Sequence, residues 1–443
     1  MSGTIMPSLA AGLYTGLATF LDAAAFSTVV FVPAGLPFDI GIQHALFGFV
    51  LMQVTVCLTS AAGNIVTPVS YEVMPFLARV TSLIAANGKA GRSAILPTVL
   101  AGSMLISAAA AVACALLSRL LPRDFDVETL LPPPLQAGLF SAIGWGLYTL
   151  SFETLGFEGM PFDPSIATWA TARLWLPAHI LGIGLWLASR RTSSPALFPG
   201  FVIGVTVLTH AVRVGTGTSL TEAQDGHWLM ASCSGRPMTA LWASAYDFGA
   251  IEWPVLLGGE ALKELICALL FGPLVNTLLN LVLIGPVIEA PVGLPTELAA
   301  AGWGSAATAL GGGYSNYIAV SNTAIHRKCG GRDKLSCIAA ALVAATFLAV
   351  HPLFAVVGYV PTLVVAAICV YIGCDFLWDN LVEAALQGGI GPALASWAVL
   401  ATCLLKDMLW GVLLGVAAFQ MYARLLAPAP DAATAKKKAK KAD

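Results

Sequence analysis

Apolar residues run in blocks along the whole chain, separated by short stretches where glycine, proline and charge collect. A helix needs roughly 20 apolar residues to cross a hydrocarbon core, so the blocks predict about 12 to 14 membrane helices. With glycine and proline as punctuation, the spans fall near 8–30, 39–60, 68–84, 94–118, 133–153, 172–189, 196–213, 258–287, 297–310, 317–327, 335–356, 359–376, 391–405 and 406–426. The third and tenth are too short to cross as complete helices. Each follows a stretch that resists helix formation, Ala61 to Pro68 before the third and Gly311 to Asn316 before the tenth.

Short segments broken by glycine or proline, at matching places in two halves, point to a transporter built from inverted repeats. Non-helical backbone is tolerated at membrane depth only where it is buried in protein or lines a cavity. Each half-helix is then expected to aim its free N–H groups at the midplane, where a solute binds. The alternative is a pair of ordinary kinked helices. The expected organisation is a first repeat over 1–213, a non-cytoplasmic interfacial segment over 214–257 with Trp228, Trp242 and Trp253, a second repeat over 258–426, and a lysine-rich tail over 427–443.

Composition excludes a soluble body. Hydrophobic residues make up 58% of the 443 positions and charged residues 10%, against about 25% charged in an average soluble domain. The fold class is therefore an all-α membrane protein. Lys436, Lys437, Lys438, Lys440 and Lys441 close the sequence, which by the positive-inside rule places that end in the cytoplasm, and the N-terminus with it if the span number is even. Arg119, Arg123, Arg190, Arg191, Arg327, Lys328, Arg332 and Lys334 fall in loops on that side, and Lys89, Arg92, Arg213 and Arg236 on the other. No cleaved targeting peptide is evident, so the first span is expected to be its own insertion signal.

Enzymatic signatures are missing: no phosphate-binding loop, no His-Glu-x-x-His metal spacing and no nucleophile with an orienting base. No cofactor or metal is expected. Cys57, Cys114, Cys267, Cys369 and Cys403 lie in apolar runs without ligand spacing and read as packing residues. The lysine tail is the only basic run, so nucleic acid is not an expected partner; the tail reads as a cytoplasmic or membrane-surface anchor.

Several motifs carry a family resemblance. Glu297-Leu298-Ala299-Ala300-Ala301-Gly302, Gly311-Gly312-Gly313-Tyr314, Ser321-Asn322-Thr323 and Gly330-Gly331-Arg332 resemble the second-half signature of the sulfate permease (SulP) family, also called solute-carrier family 26. Ala11-Gly12-Leu13 leading to Ala34-Gly35-Leu36-Pro37 resembles its first span and exit, and Leu404 to Gly415 its last pair of spans. The resemblance implies about fourteen spans in two inverted repeats, divided into core and gate domains, an elevator-like transport movement and a homodimer. Most members carry a cytoplasmic STAS domain after the last span; this sequence is expected to lack it. Asp22 to Phe26, Glu72 to Phe76, Ala245 to Phe248 and Ser315 to Tyr317 resemble a divergent fungal and protist branch associated with vacuolar membranes and basic amino-acid storage.

Two departures from the family bear on charge. Asn322 stands where many members have an arginine, and Pro273-Leu274-Val275-Asn276-Thr277 stands where the eighth span often has a carboxylate. Two half-helix N-termini supply about +1 in total. An arginine would raise that to about +2, suited to an anion; without it, and with Asp22 and Glu72 ionised, the pocket falls to about −1, suited to a cation or a proton. Carboxylates in the bilayer interior are costly enough to suggest function. The alternatives are a packing carboxyl for Asp22 and a dipole partner for Glu72. His44, His210 and His351 are expected to be packing residues, and Lys406-Asp407 an interfacial pair.

The expected solute site comprises Asp22, Phe26, Ser70, Glu72, Asn276, Ser315, Asn316 and Tyr317, with Asp22 and Glu72 handling the proton and Phe26 and Tyr317 offering aromatic walls. The chain thus reads as a proton-coupled secondary transporter of a small cationic solute, such as a basic amino acid, in a vacuole- or lysosome-like membrane. An anion transporter of the same fold is the alternative. A channel or voltage-responsive membrane protein is the alternative of another class.

Overall fold

The computed structural model describes residues 2–87, 91–122, 133–157, 168–192, 194, 197–230, 232–233, 235–314, 316–383, 385–386, 390–406, 410–411 and 413–418. Ser315 and the lysine tail lie outside the described residues, as do Lys89, Arg123 and Asp407. The described chain is helical, its one β-bridge joining Leu229 and Pro361. In order come α1 (Ser2–Val30), α2 (Phe38–Thr59), α3 (Met74–Asn87), α4 (Arg92–Leu120), α5 (Pro133–Thr154), α6 (Trp169–Arg191) and α7 (Leu197–Gly215). The short helices α8 (Leu220–Asp225), α9 (Met238–Ala245) and α10 (Trp253–Leu256) follow. Then come α11 (Gly259–Leu269), α12 (Val275–Ile288), α13 (Leu294–Gly311), α14 (Val320–Lys328), α15 (Lys334–Ala349), α16 (Thr362–Leu377) and α17 (Ile390–Leu405).

The helices make two compact units, residues 1–125 with 143–376 and residues 126–142 with 377–443. In the first, α1, α2, α4, α13 and α15 pack on one another. Gly12 and Gly16 let α1 lie directly on Ala339 and Val343 of α15. His326, fully buried on α14, joins three helices: Nδ1 is 2.7 Å from Thr15 Oγ1 on α1 and Nε2 is 2.8 Å from Ser336 Oγ on α15. In the second unit, Gly415 seats Leu135, Gly138 seats Val399, and an apolar cavity of about 600 Å³ lies between them.

Five described stretches are long and apolar enough to cross a membrane: Ile5–Ala34, Phe38–Thr59, Ser93–Leu120, Gly259–Leu281 and Thr362–Glu383. Their outward faces carry exposed Leu13, Val112, Leu116 and Leu262, which suit a lipid surrounding. The other expected spans are shorter, bent, less apolar, as in α5 and α6, or only partly within the described residues. Lys334–Ala349 and His351–Tyr359 meet at 95°, so the stretch expected as a span over 335–356 is a bent pair of helices. Pro352, without an N–H, lies just past the corner. The expected span over 258–287 holds a π turn at Leu270–Leu274, where Pro273 cannot supply the regular hydrogen bond.

The long connection after α7 is docked on the first unit. Trp242 donates to Gly311 O at 3.1 Å, Met230 N to Val360 O at 2.9 Å, and Arg236 pairs with Asp39 at 3.0 Å.

Candidate solute-binding site

Helix α3 holds 14 residues and α14 nine, about 21 and 14 Å of helix against a hydrocarbon core of about 30 Å. Before each lies non-helical backbone, 60–70 in the first case and 313–314 with 316–319 in the second. The third expected span therefore starts later than Pro68: its helix begins at Met74.

Extended backbone inside a membrane protein needs a partner for every peptide group, and polar side chains from the surrounding helices supply them. Gln53 of α2 donates to Ile65 O at 2.8 Å and accepts from Thr67 N at 2.8 Å, standing in for a neighbouring strand. Glu297 of α13 accepts from Ala61 N and Ala62 N at 3.0 and 3.3 Å. His44 Nδ1 lies 3.0 Å from Gly312 O, and Asn280 of α12 accepts from Val320 N at 2.8 Å. The two breaks also meet each other, with Ala319 N donating to Val66 O at 3.0 Å and Val66 N to Thr323 Oγ1 at 3.0 Å. Gly48 of α2 permits this: a Cβ there would overlap the backbone of Tyr314.

A cavity of about 230 Å³ opens beside the crossing. Tyr14, Thr15, Thr19 and Asp22 of α1 wall it, with Val69, Tyr71 and Glu72 of the first break, and Tyr317, Ser321 and Asn322 around the start of α14. The opposite wall is Phe198 of α7 and Tyr371, Asp375 and Phe376 of α16. Tyrosine hydroxyls hold both expected carboxylates: Tyr71 donates to Asp22 Oδ1 at 2.8 Å and Tyr317 to Glu72 Oε1 at 2.7 Å. Ser70 donates to Glu72 Oε2 at 2.9 Å.

Three carboxylates face the cavity, and among the described residues no lysine, arginine or histidine lines it. Asp375 is paired with Arg190 at 3.2 Å. Taking that pair as neutral, two carboxylates and two helix N-termini worth about +1 in total leave roughly −1. Among the described residues no three His, Cys, Asp or Glu side chains group as a metal site.

The structure thus brings Asp22, Glu72 and Tyr317 to one cavity, with Ser70 behind Glu72. Three expected site residues are corrected. Phe26 is fully buried and stacks on Tyr314 at 5.2 Å; Asn276 is buried on α12 and donates to Phe271 O of the preceding π turn; Asn316 is buried. None of the three lines the cavity. The expected free N–H groups are also partly taken, since Met74 N donates to Tyr71 O, Pro75 has none, and Val320 N is capped by Asn280. Ser315 is outside the described residues. His44 and His210 each bond a backbone carbonyl, as packing histidines do.

Sequence reasoning missed Tyr14, Tyr71, Asp375 and the supports Gln53 and Asn280. The available signal was polarity within apolar runs: an amide in a membrane helix marks backbone nearby that needs a partner.

Comparison with known proteins agrees with this architecture. Residues 266–387 match the sequence model of the Sulfate permease family. The transmembrane domain of a cyanobacterium bicarbonate transporter, BicA, is similar at a TM-score of 0.65 and 17% identity, over 92% of this chain and 97% of that one. The overall structure of SLC26A9 is similar at 0.65 and 15%, over 95% of this chain and 65% of that one. The murine SLC26A9 anion transporter in its inward-facing state is similar at 0.63 and 14%, over 96% and 69%. The chain therefore spans about two thirds of the SLC26A9 chains. Among curated proteins no sequence relative is found.

Proposed function

Starting from a chain that has the SulP (solute-carrier 26) transporter fold and carries the sulfate permease signature in its second half, we propose that it is a proton-coupled secondary transporter of a small cationic solute. The observation that carries this reading is the cavity itself, with three carboxylates and, among the described residues, no basic one lining it. Asn322 lies on its wall where the family resemblance leads one to expect an arginine. A basic amino acid fits the sign of the charge.

Asp22 is the proposed ion-pairing and proton-carrying group. Among the described residues its hydrogen-bond donor is the neutral Tyr71 hydroxyl, so a solute cation or a proton supplies the positive charge. Glu72, held by Tyr317 and Ser70, is the more fixed partner. Alternating exposure follows from movement of the wall that carries the breaks against α7 and α16, in the elevator manner. Two inverted repeats over 1–213 and 258–426, cytoplasmic termini, a homodimer and a vacuole-like membrane complete the proposal.

Uptake of labelled arginine into proteoliposomes, with and without an acid-inside gradient, tests it. Gradient-stimulated uptake lost in Asp22→Asn is expected; unchanged uptake in that variant removes the assigned role. The similarity to a bicarbonate transporter and an anion transporter favours a second reading, an anion bound with the carboxyls protonated. Competition by sulfate or oxalate, with uptake rising on external acidification, would establish it.

A further inference from the structure

A second cavity, of about 480 Å³, adjoins the first. The two share four wall residues, Tyr14, Ala18, Asp22 and Phe198. Beyond them the second is lined by apolar side chains, including Phe20, Val202, Met230, Phe347, Val364 and Ile368, and Asp22 is the one charged residue among its described lining. Val202, Val364 and Ile368 are themselves buried in a packed cluster between α7 and α16, so this wall is built rather than incidental.

Resting on the cationic reading above, we infer that the solute is an amphipathic organic cation: an ammonium or guanidinium head in the acidic cavity and an apolar body in the adjoining one, with Asp22 at the junction. The sizes favour this division. The acidic cavity is about half the volume of the adjoining apolar one, so most of the room for a solute is apolar. A wholly hydrophilic cation leaves the second cavity unfilled, whereas an apolar body gains by leaving water. Together the two cavities fall in the range of about 300–1,000 Å³ typical of small-molecule sites. The acidic cavity has no basic lining residue to receive a carboxylate, so a monoamine fits better than a zwitterion.

A chain-length series tests the assignment. Binding of radiolabelled hexylammonium to the full chain in nanodiscs is measured with methylammonium, butylammonium, lysine, hexanol, hexanoate and sulfate as competitors. Affinity is expected to rise about fourfold per methylene from methylammonium to hexylammonium, with hexanol and hexanoate ineffective. Ile203 and Val356 line the apolar cavity and are 63% and 52% exposed. Ile203→Trp and Val356→Trp therefore add bulk without disturbing the core, and are expected to flatten the chain-length series while leaving methylammonium unchanged. Asp22→Asn is expected to weaken every amine alike. Lysine and methylammonium competing without any chain-length effect overturns the inference and leaves the cationic reading standing. Hexanol competing as well as hexylammonium also overturns it, marking the apolar cavity as a seat for lipid chains. Sulfate competing while no amine binds overturns the cationic reading and the inference together.

Discussion

The two broken helices solve one problem differently. The approach to α3 is longer, and its peptide groups are served by Gln53 and Glu297, two side chains that each hold two backbone positions. It delivers a carboxylate, Glu72, to the cavity. The approach to α14 is shorter, its helix start is closed by the neutral Asn280, and it delivers Ser321 and Asn322. Two breaks that meet at one place therefore need not share chemistry: one brings charge and the other only dipoles.

Removing the supports should expose this asymmetry. Gln53→Leu leaves Ile65 O and Thr67 N without partners at a buried position, at about 1–3 kcal/mol for each group. This is the largest expected loss, read as a fall in the unfolding midpoint of the purified protein. Asn280→Leu strips one group, Val320 N, and is expected to cost about half as much in the same assay. A loss equal to that of Gln53→Leu would show that both breaks depend equally on side-chain support.

The difference in charge is tested by Asn322→Arg, which places a cation on the neutral wall. Binding of a cationic solute is expected to fall at least about tenfold, since a like charge a few ångströms away opposes it even in a polar surrounding. Retained cation binding would place the solute elsewhere. Glu222 supplies the smallest effect, outside the membrane helices. Its carboxylate accepts from Ser219 N at 2.8 Å in a capping box, and that backbone hydrogen bond holds its pKa below the ordinary carboxylate value. The lowered folded-state value means its contribution is present above the unfolded pKa and is lost as pH falls through the folded one. Amide exchange in α8 should rise on such acidification, and Glu222→Gln should remove the pH dependence.

Much of the architecture was legible because apolar length and glycine or proline breaks report helix boundaries directly. Asp22 and Glu72 were legible as charges in apolar surroundings. The cavity wall was not, because which face of α16 turns toward α1 depends on packing that no local pattern records; Asp375, near a helix end, resembled an ordinary interfacial residue. Phe26 erred for the complementary reason. An aromatic one turn from Asp22 is within reach of a solute by sequence alone, but Tyr314, brought in by the second break, occupies its face. Asn276 stands where the family often has a carboxylate, yet the π turn beside it draws its amide to Phe271 O.

The buried imidazole of His326 has a mechanical corollary. Both ring nitrogens are engaged, one by α1 and one by α15, while the ring itself rides on α14. Any motion that keeps those two bonds carries the three helices as a single slab, with Asp22 and Asn322 fixed on it like two marks on one ruler. Changes in the cavity's width are then left to its far side, where Phe198 and Tyr371 stand.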